Sequence, residues 1–342
     1  MNAMTNPIDQ NQLEKLRTTA GNGPVLILTH DNPDPDGLAS GKALSTLLRD
    51  AWDIPSQLMY SGLVARAENH VMLDRLTPEW ECSEGLPDLR QYSAVAQIDT
   101  QPGAGNNRMR VVHPNHIVID HHYPIRDATT NASFADVRTD IGSTVTMLFQ
   151  YLDAAGIDPG PRLATAMYYG LKTDTRSLTR GESVADDVAF MNLTRYLDQK
   201  ELSRVEVAAL SLEYFRAFSH GLHAARLFGQ AVVAWLGSIE QPDFAAEMAD
   251  ILIRLQGARA ALCMGQFRDT LHISLRTGGR DQDAGRIIQQ IVSSPGSAGG
   301  HGTMAGGQFP LLGVNMDALL AEIEQRFLTV LSETAEGMSL IA

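Results

Sequence analysis

The chain has 342 residues, more than one hydrophobic core usually organises, which excludes a single small domain and predicts two of ordinary size. With 44% apolar and 20% charged residues it can bury enough surface to offset its chain entropy, so global disorder is excluded as well. Asp and Glu number 40 against 27 Lys and Arg, and the resulting charge of −13 repels the backbone of long nucleic acid.

No stretch approaches the roughly 18 to 20 consecutive apolar residues of a bilayer span. The segment Met1 to Pro24 lacks the apolar core of a secretory signal, so the expected location is cytoplasmic, with no membrane partner. Cys82 and Cys263 lie far apart in sequence and form neither a disulfide framework nor a CxxC metal site.

In chain order, Gly23-Pro24 breaks the leading segment, and Val25 to Thr29 follows as an unalternating apolar run suited to a strand covered on both faces. A polar loop and a helical stretch, Leu38 to Leu48, come next. Ser93 to Ile98 and His116 to Ile119 repeat the short-strand signal, and together they predict a doubly wound, mainly parallel α/β domain over 20–185. Helical spacing over 141–155 and 161–172 continues into a helix-rich stretch, read as a linker over 186–228. Ala231 to Leu236, Ala260 to Gly265 and His272 to Arg276 look like strands, with helices over 244–255 and 283–292, giving a smaller α/β domain over 229–342.

Polar residues collect where these strands end. The first runs into His30-Asp31-Asn32-Pro33-Asp34-Pro35-Asp36, the second into Asp99, the third into Asp120-His121-His122, and Asp174 follows a helix. In an open parallel sheet the carboxyl ends of neighbouring strands share one edge, where ligands bind. Carboxylates and imidazoles gathered there repel one another when ionised unless a divalent cation holds them. Oxygen and nitrogen donors without thiolate suit Mn²⁺, with Mg²⁺ or Fe²⁺ as alternatives, and a shared carboxylate could bridge two ions about 3.5 to 4 Å apart. The chemistry this implies is phosphoester or phosphoanhydride hydrolysis.

These motifs resemble, in order and spacing, the four motifs of the DHH phosphoesterase superfamily. Ala298-Gly299-Gly300-His301 is similar to the glycine-rich motif of the DHH-associated C-terminal domain of RecJ-like exonucleases and nanoRNases, and the resemblance spans about residues 24 to 310. It implies His30, Asp34 and Asp99 as ligands of one ion and Asp36, Asp99, His121 and Asp174 as ligands of a second. It further implies that His122 faces the scissile phosphate, that Asp120 orients His121 from behind, and that Arg276, Gly299, Gly300 and His301 hold the rest of the substrate between the domains. The expected activity is hydrolysis of short oligonucleotides or small phosphorylated nucleotides (nanoRNA, 3′-phosphoadenosine 5′-phosphate, linear or cyclic dinucleotides) by a two-metal activated water. A pyrophosphatase or exopolyphosphatase and a non-catalytic nucleotide sensor are the alternatives, and a homodimer is compatible with all of them.

Two positions depart from the family pattern. Pro35 stands where glycine is frequent and should keep Asp34 extended. Ala298 replaces the first glycine of the C-terminal motif, and its methyl would narrow the substrate range if that position needs a positive φ. Taken singly, Asp34 to Gly37 reads as a turn, Asp99 as a cap and the two histidines as ordinary partly buried residues. Their joint placement at strand ends is what favours metal.

Overall fold

A computed structural model describes residues 8–179, 183–279, 283–334 and 336–341. The chain divides into two compact units, with the boundary between Ala208 and Ala209.

In the first unit the order is α1 (Gln10–Ala20), β1 (Val25–Leu28), α2 (Pro35–Trp52), β2 (Ser56–Tyr60), α3 (Ala67–Leu76), β3 (Trp80–Cys82), β4 (Ala94–Ile98), β5 (His116–Asp120), β6 (Phe134–Val137), α4 (Thr144–Ala154), α5 (Gly160–Asp174), α6 (Val184–Leu193) and α7 (Gln199–Glu206). The six strands form one parallel sheet in the order β3-β2-β1-β4-β5-β6. The chain winds outward from β1 to β3, returns to β4 beside β1 and winds the other way. The switch point therefore lies between β1 and β4, where an open sheet leaves a crevice at the strands' carboxyl ends.

Strand alternation assigns the two faces. Val25, Ile27, Ala94, Ala96, Ile98, Ile117 and Ile119 pack in the main core, which also takes Leu16 of α1, Leu44 of α2, Leu148 of α4 and Met167 of α5. On the opposite face Leu26, Leu28 and Val95 are covered by Tyr92, Met109, Leu86 and Leu89 from connecting segments.

The expected linker is not a separate body. Ala189, Leu193, Leu202 and Val205 of α6 and α7 are buried in the first core. The next helix, α8 (Leu212–Ala224), packs Tyr214, Phe218 and Leu222 on the second unit. The apolar stripes of these helices each have a sheet or helix layer to cover, so they join domains instead of bridging them. The polar leading segment likewise contributes to the first core, because Leu13 and Leu16 recur at helical spacing in α1 behind the N-cap Asp9.

The second unit continues with β7 (Ala225–Phe228), β8 (Ala231–Ser238), α9 (Phe244–Leu252), β9 (Ala260–Phe267), β10 (Thr270–Thr277), α10 (Ala284–Ile291), β11 (Ser297–His301), β12 (Met304–Pro310), α11 (Met316–Val330) and β13 (Met338–Ser339). Its mixed seven-stranded sheet runs β11-β12-β10-β9-β8-β7-β13. Only β8 and β9 pair in parallel, and the other neighbours are antiparallel. The sheet buries one face under α10 and α11 and the other under α8 and α9. Among the described residues no helix is long and apolar enough to cross a membrane.

His116 opens β5 opposite Val95, is fully buried, and neither ring nitrogen has a hydrogen-bond partner. Burial, with a smaller push from His113, moves its pKa down to about 4 from 6.5. A histidine whose folded pKa is depressed supports the fold above its unfolded pKa and withdraws that support as pH falls from about 6.5 towards 4. We predict that between pH 7 and pH 5 the wild type loses about 2 kcal/mol more unfolding free energy in urea than His116→Leu does. Parallel losses in both proteins would clear His116 of this role.

Candidate metal centre

Each element that reaches the carboxyl edge of the parallel sheet delivers its acid for a local reason. After β1, Asp34 adopts extended backbone and caps α2, with Oδ1 accepting from Gly37 N at 3.0 Å, while Pro35 takes the first helical position, where no amide is needed. Asp34 is thus both a cap and a member of the cluster. Asp36 sits in the first turn of α2, 1% exposed. A Cβ on Gly37 would stand 2.4 Å from Thr29 Oγ1 and 3.3 Å from Asp99 Oδ2, so glycine lets the helix start close to the cluster. Gly170 serves the same end on α5, since a Cβ there would meet Pro35 O at 2.8 Å.

Asp99 follows β4 with φ +61°, a left-handed conformation that a short polar side chain tolerates and that the surroundings hold in place. Asp174 ends α5, where the negative end of the helix dipole already disfavours an acid.

The side chains converge. His30 Nε2 lies 3.5 Å from Asp99 Oδ2 and 3.7 Å from Asp34 Oδ1. His121 Nε2 lies 3.2 Å from Asp174 Oδ2, 3.7 Å from Asp99 Oδ1 and 3.8 Å from Asp36 Oδ2. The two oxygens of Asp99 therefore face different imidazoles. Three sets of donors (His30, Asp34 and Asp99; Asp36, His121 and Asp174; Asp99, His121 and His122) each have ligand atoms within 4.8 Å of one another.

His30 and His121 both turn Nε2 towards the carboxylates and Nδ1 to a backbone carbonyl. His30 Nδ1 is 3.0 Å from Asp31 O and His121 Nδ1 is 3.2 Å from Ile141 O. A proton on Nδ1 would serve either carbonyl, and Nε2 of each ring is the nitrogen that faces the carboxylates. His121 Nε2 is buried and makes no hydrogen bond.

Five carboxylates against three imidazoles leave the cluster short of positive charge. Burial first, then the charges of Asp99 and Asp174, push the Asp36 carboxyl well above the ordinary carboxylate range. Burial works to lower His30, but its contacts with Asp34 and Asp99 outweigh this and raise it well above the usual value. Burial works to raise Asp99, yet His30, His122 and His121 together hold it below its usual value. His122 is opposed by burial too, and Asp120 with Asp99 lifts it up to about 10. A cluster that draws protons onto His30 and His122 in this way is chemically matched to divalent cations.

Asp120 occupies a different place from the one expected. Its Oδ1 is 2.8 Å from His122 Nδ1, and its Oδ2 accepts from Gln101 Nε2 at 2.6 Å. It orients His122, not His121, because side chains alternate along β5 and its extension, so 120 and 122 share one side. Its burial is complete, and His122 is nearly half exposed.

Several supporting residues escaped sequence reasoning. The start of α4 receives Asp36: Oδ1 accepts from Ser143 Oγ at 2.7 Å and Val145 N at 2.8 Å, and Oδ2 from Thr144 N at 2.8 Å. Thr144 Oγ1 donates to Asp99 Oδ1 at 2.8 Å. Asp186, fully buried, accepts from Gly142 N at 2.9 Å and so fixes the approach to that helix start. The sequence Gly142-Ser143-Thr144 carries an N-cap signal, but nothing in it names a carboxylate 107 residues away as the ligand of those amides.

The C-terminal candidates are placed as follows. Gly299 and Gly300 lie on β11, the edge strand, paired with Gly306 and Ala305 of β12. A Cβ on Gly300 would meet Met304 O at 2.4 Å, so the hairpin itself demands that glycine, whereas Gly299 has open space beside it. Ala298 has no positive φ, and its methyl joins the second unit's core opposite Gly307. The side chain of His301 lies outside the described residues.

Arg276 is not free to greet a ligand. It is 7% exposed, with Nε 2.5 Å from Asp250 Oδ1 and Nη1 donating to Ser274 Oγ at 3.0 Å and Leu275 O at 3.1 Å. Strand alternation turns it inward beneath α9, so the guanidinium ties helix to sheet.

A parallel sheet with an acid and imidazole cluster at its switch point defines a class, the open α/β folds whose strand ends can hold divalent cations. Family models specify it further: the N-terminal domain of the DHH family matches residues 24–171 and the DHHA1 domain matches residues 228–329. The chain belongs to the DHH family. An uncharacterized protein of Methanocaldococcus jannaschii is 33% identical over 290 residues, 84% of this chain, and the chain spans 58% of that relative's length. A Streptococcus agalactiae protein named "Probable manganese-dependent inorganic pyrophosphatase" is 22% identical over 253 residues, covering 68% of this chain and 77% of its own. The fold is shared with an exopolyphosphatase-related protein of Bacteroides fragilis, with TM-score 0.75 and 17% identity over 96% of this chain and all of that one. It is shared also with RecJ of Thermus thermophilus solved with Mn²⁺, with TM-score 0.55 and 14% identity over 94% of this chain and 54% of RecJ.

A cation that binds only the folded protein stabilises it by mass action. Mg²⁺ or Mn²⁺ at a hundredfold excess over its dissociation constant should raise the unfolding free energy by about 2.7 kcal/mol for each ion held. Asp99→Asn keeps the size and tolerates the left-handed backbone, and in a urea titration it should lose most of that gain. An equal gain in both proteins would remove Asp99 from the centre.

Proposed function

We propose that the protein is a two-metal phosphoesterase that hydrolyses short oligonucleotides or small phosphorylated nucleotides, of the kinds represented by nanoRNA, 3′-phosphoadenosine 5′-phosphate and linear or cyclic dinucleotides. The observation that carries this reading is the divided carboxylate of Asp99, one oxygen 3.5 Å from His30 and the other 3.7 Å from His121. A carboxylate shared in this manner suits two cations, with His30, Asp34 and Asp99 holding one and Asp36, Asp99, His121 and Asp174 the other. Mn²⁺ fits this mixed oxygen and nitrogen set, and the relatives named for manganese support the choice. Bound there, such a pair supplies Lewis acidity to a phosphoryl oxygen and lowers the pKa of water to the neutral range.

The chain's own residues do the rest. Asp120, locked by Gln101, fixes the Nδ1 proton of His122, a side chain 45% exposed, and leaves Nε2 to donate to a phosphate oxygen or the leaving group. The amides at the start of α4 hold Asp36 rigid, so the ligand set is fixed before substrate arrives. The resemblance alone carries Gly299, Gly300 and His301 as further substrate contacts, and within the second unit Gly299 has open space beside it on the edge strand β11. Arg276 keeps α9 on the second unit's sheet through Asp250. Acidic overall charge keeps long strands away and leaves short substrates as the fitting class.

Hydrolysis of pyrophosphate is the second reading, favoured by the name carried by the Streptococcus agalactiae relative. The DHHA1 match over 228–329 supports the nucleotide reading, since the glycine-rich motif goes with the nuclease-like branch. With Mn²⁺ present, purified protein should cleave a dinucleotide or a bisphosphorylated nucleotide well ahead of pyrophosphate, and the reverse order would install the second reading. Asp99→Asn should abolish turnover while circular dichroism stays native. Asp120→Asn should lower kcat by about tenfold to a hundredfold, the usual effect of removing the partner of a functional imidazole. Undiminished turnover in Asp120→Asn would exclude the orienting role.

A further inference from the structure

We propose that Tyr123 is a base-recognition residue whose ring stacks on the nucleobase adjoining the scissile phosphate, a reading that rests on the nucleotide phosphoesterase function above. Tyr123 directly follows His122 and is 83% exposed, and Ile125 beyond it is 51% exposed. An aromatic ring normally buries roughly 150 to 250 Å² on folding, and that gain is forgone here, one residue from the acid and imidazole cluster.

The loop that carries the ring is not slack. Gln101, 2% exposed, reaches both of its ends: Nε2 donates to His122 O at 2.9 Å, and Oε1 accepts from Arg126 N at 2.7 Å and from Thr129 Oγ1 at 3.1 Å. The same amide nitrogen donates to Asp120, so one buried side chain fixes the His122 imidazole and the loop presenting Tyr123 together. A buried clamp holding the backbone on both sides of an exposed ring, next in sequence to His122, is what a stacking platform needs. Arg126, exposed on the same loop, adds a cation that can lie against a base or a phosphate. Every base has a π face, so the platform selects base-bearing esters over base-free ones without choosing among bases.

The test is calorimetric titration of wild type, Tyr123→Ala and Tyr123→Phe, each loaded with Mn²⁺. The ligands are a dinucleotide whose bridging phosphate is replaced by a non-hydrolysable methylene phosphonate, and its abasic counterpart. Wild type should bind the base-bearing compound about fivefold to a hundredfold more tightly, the ratio should fall to near one in Tyr123→Ala, and Tyr123→Phe should retain it. An unchanged ratio in Tyr123→Ala, or no preference in wild type, overturns the proposal. Turnover of a cleavable dinucleotide, followed in parallel, separates the two readings. A preference that tracks Tyr123 without turnover upholds the platform and sinks the phosphoesterase, and turnover with a preference indifferent to Tyr123 does the opposite.

Discussion

Carboxylates crowded at the edge of a parallel sheet are the constraint on which the rest of the first unit depends. Asp36 and Asp99 are each about 1% exposed, and no arrangement of ionised acids that close is stable in a dry crevice without positive charge among them. The amides and hydroxyls at the start of α4 neutralise part of the cost, and the imidazoles take up protons for another part. What is left over is a demand for cations, and it explains why glycines stand at 37 and 170. Each lets backbone come close enough to bring the acids together.

The same convergence accounts for how much was legible in the sequence. Val25 to Leu28, Ala94 to Ile98 and His116 to Asp120 are short apolar runs followed at once by acids or histidines, and parallel-sheet geometry alone puts those ends on one edge. The strands β2, β3 and β6 were not legible because Ser56 to Tyr60, Trp80 to Cys82 and Phe134 to Val137 are short and half polar, as outer strands are. The glycine-rich motif reads as a loop by composition, yet it pairs residue for residue with β12, since small residues let the hairpin lie close.

The supporting residues were the harder part. Gln101, Ser143 and Thr144 act across 19 to 108 positions of chain, through amides and hydroxyls that carry no distinctive spacing. Arg276 is a residue type suited to phosphate whose strand position turns it into the protein, onto Asp250. Which face a strand residue takes depends on what covers the sheet, and in the second unit helices cover both faces.

Diffraction from crystals soaked in Mn²⁺, recorded on either side of the manganese absorption edge, tests the central claim most directly. The account predicts two anomalous peaks about 3.5 to 4 Å apart, one on each oxygen of Asp99. A single peak away from Asp99, or none at saturating metal, would contradict it.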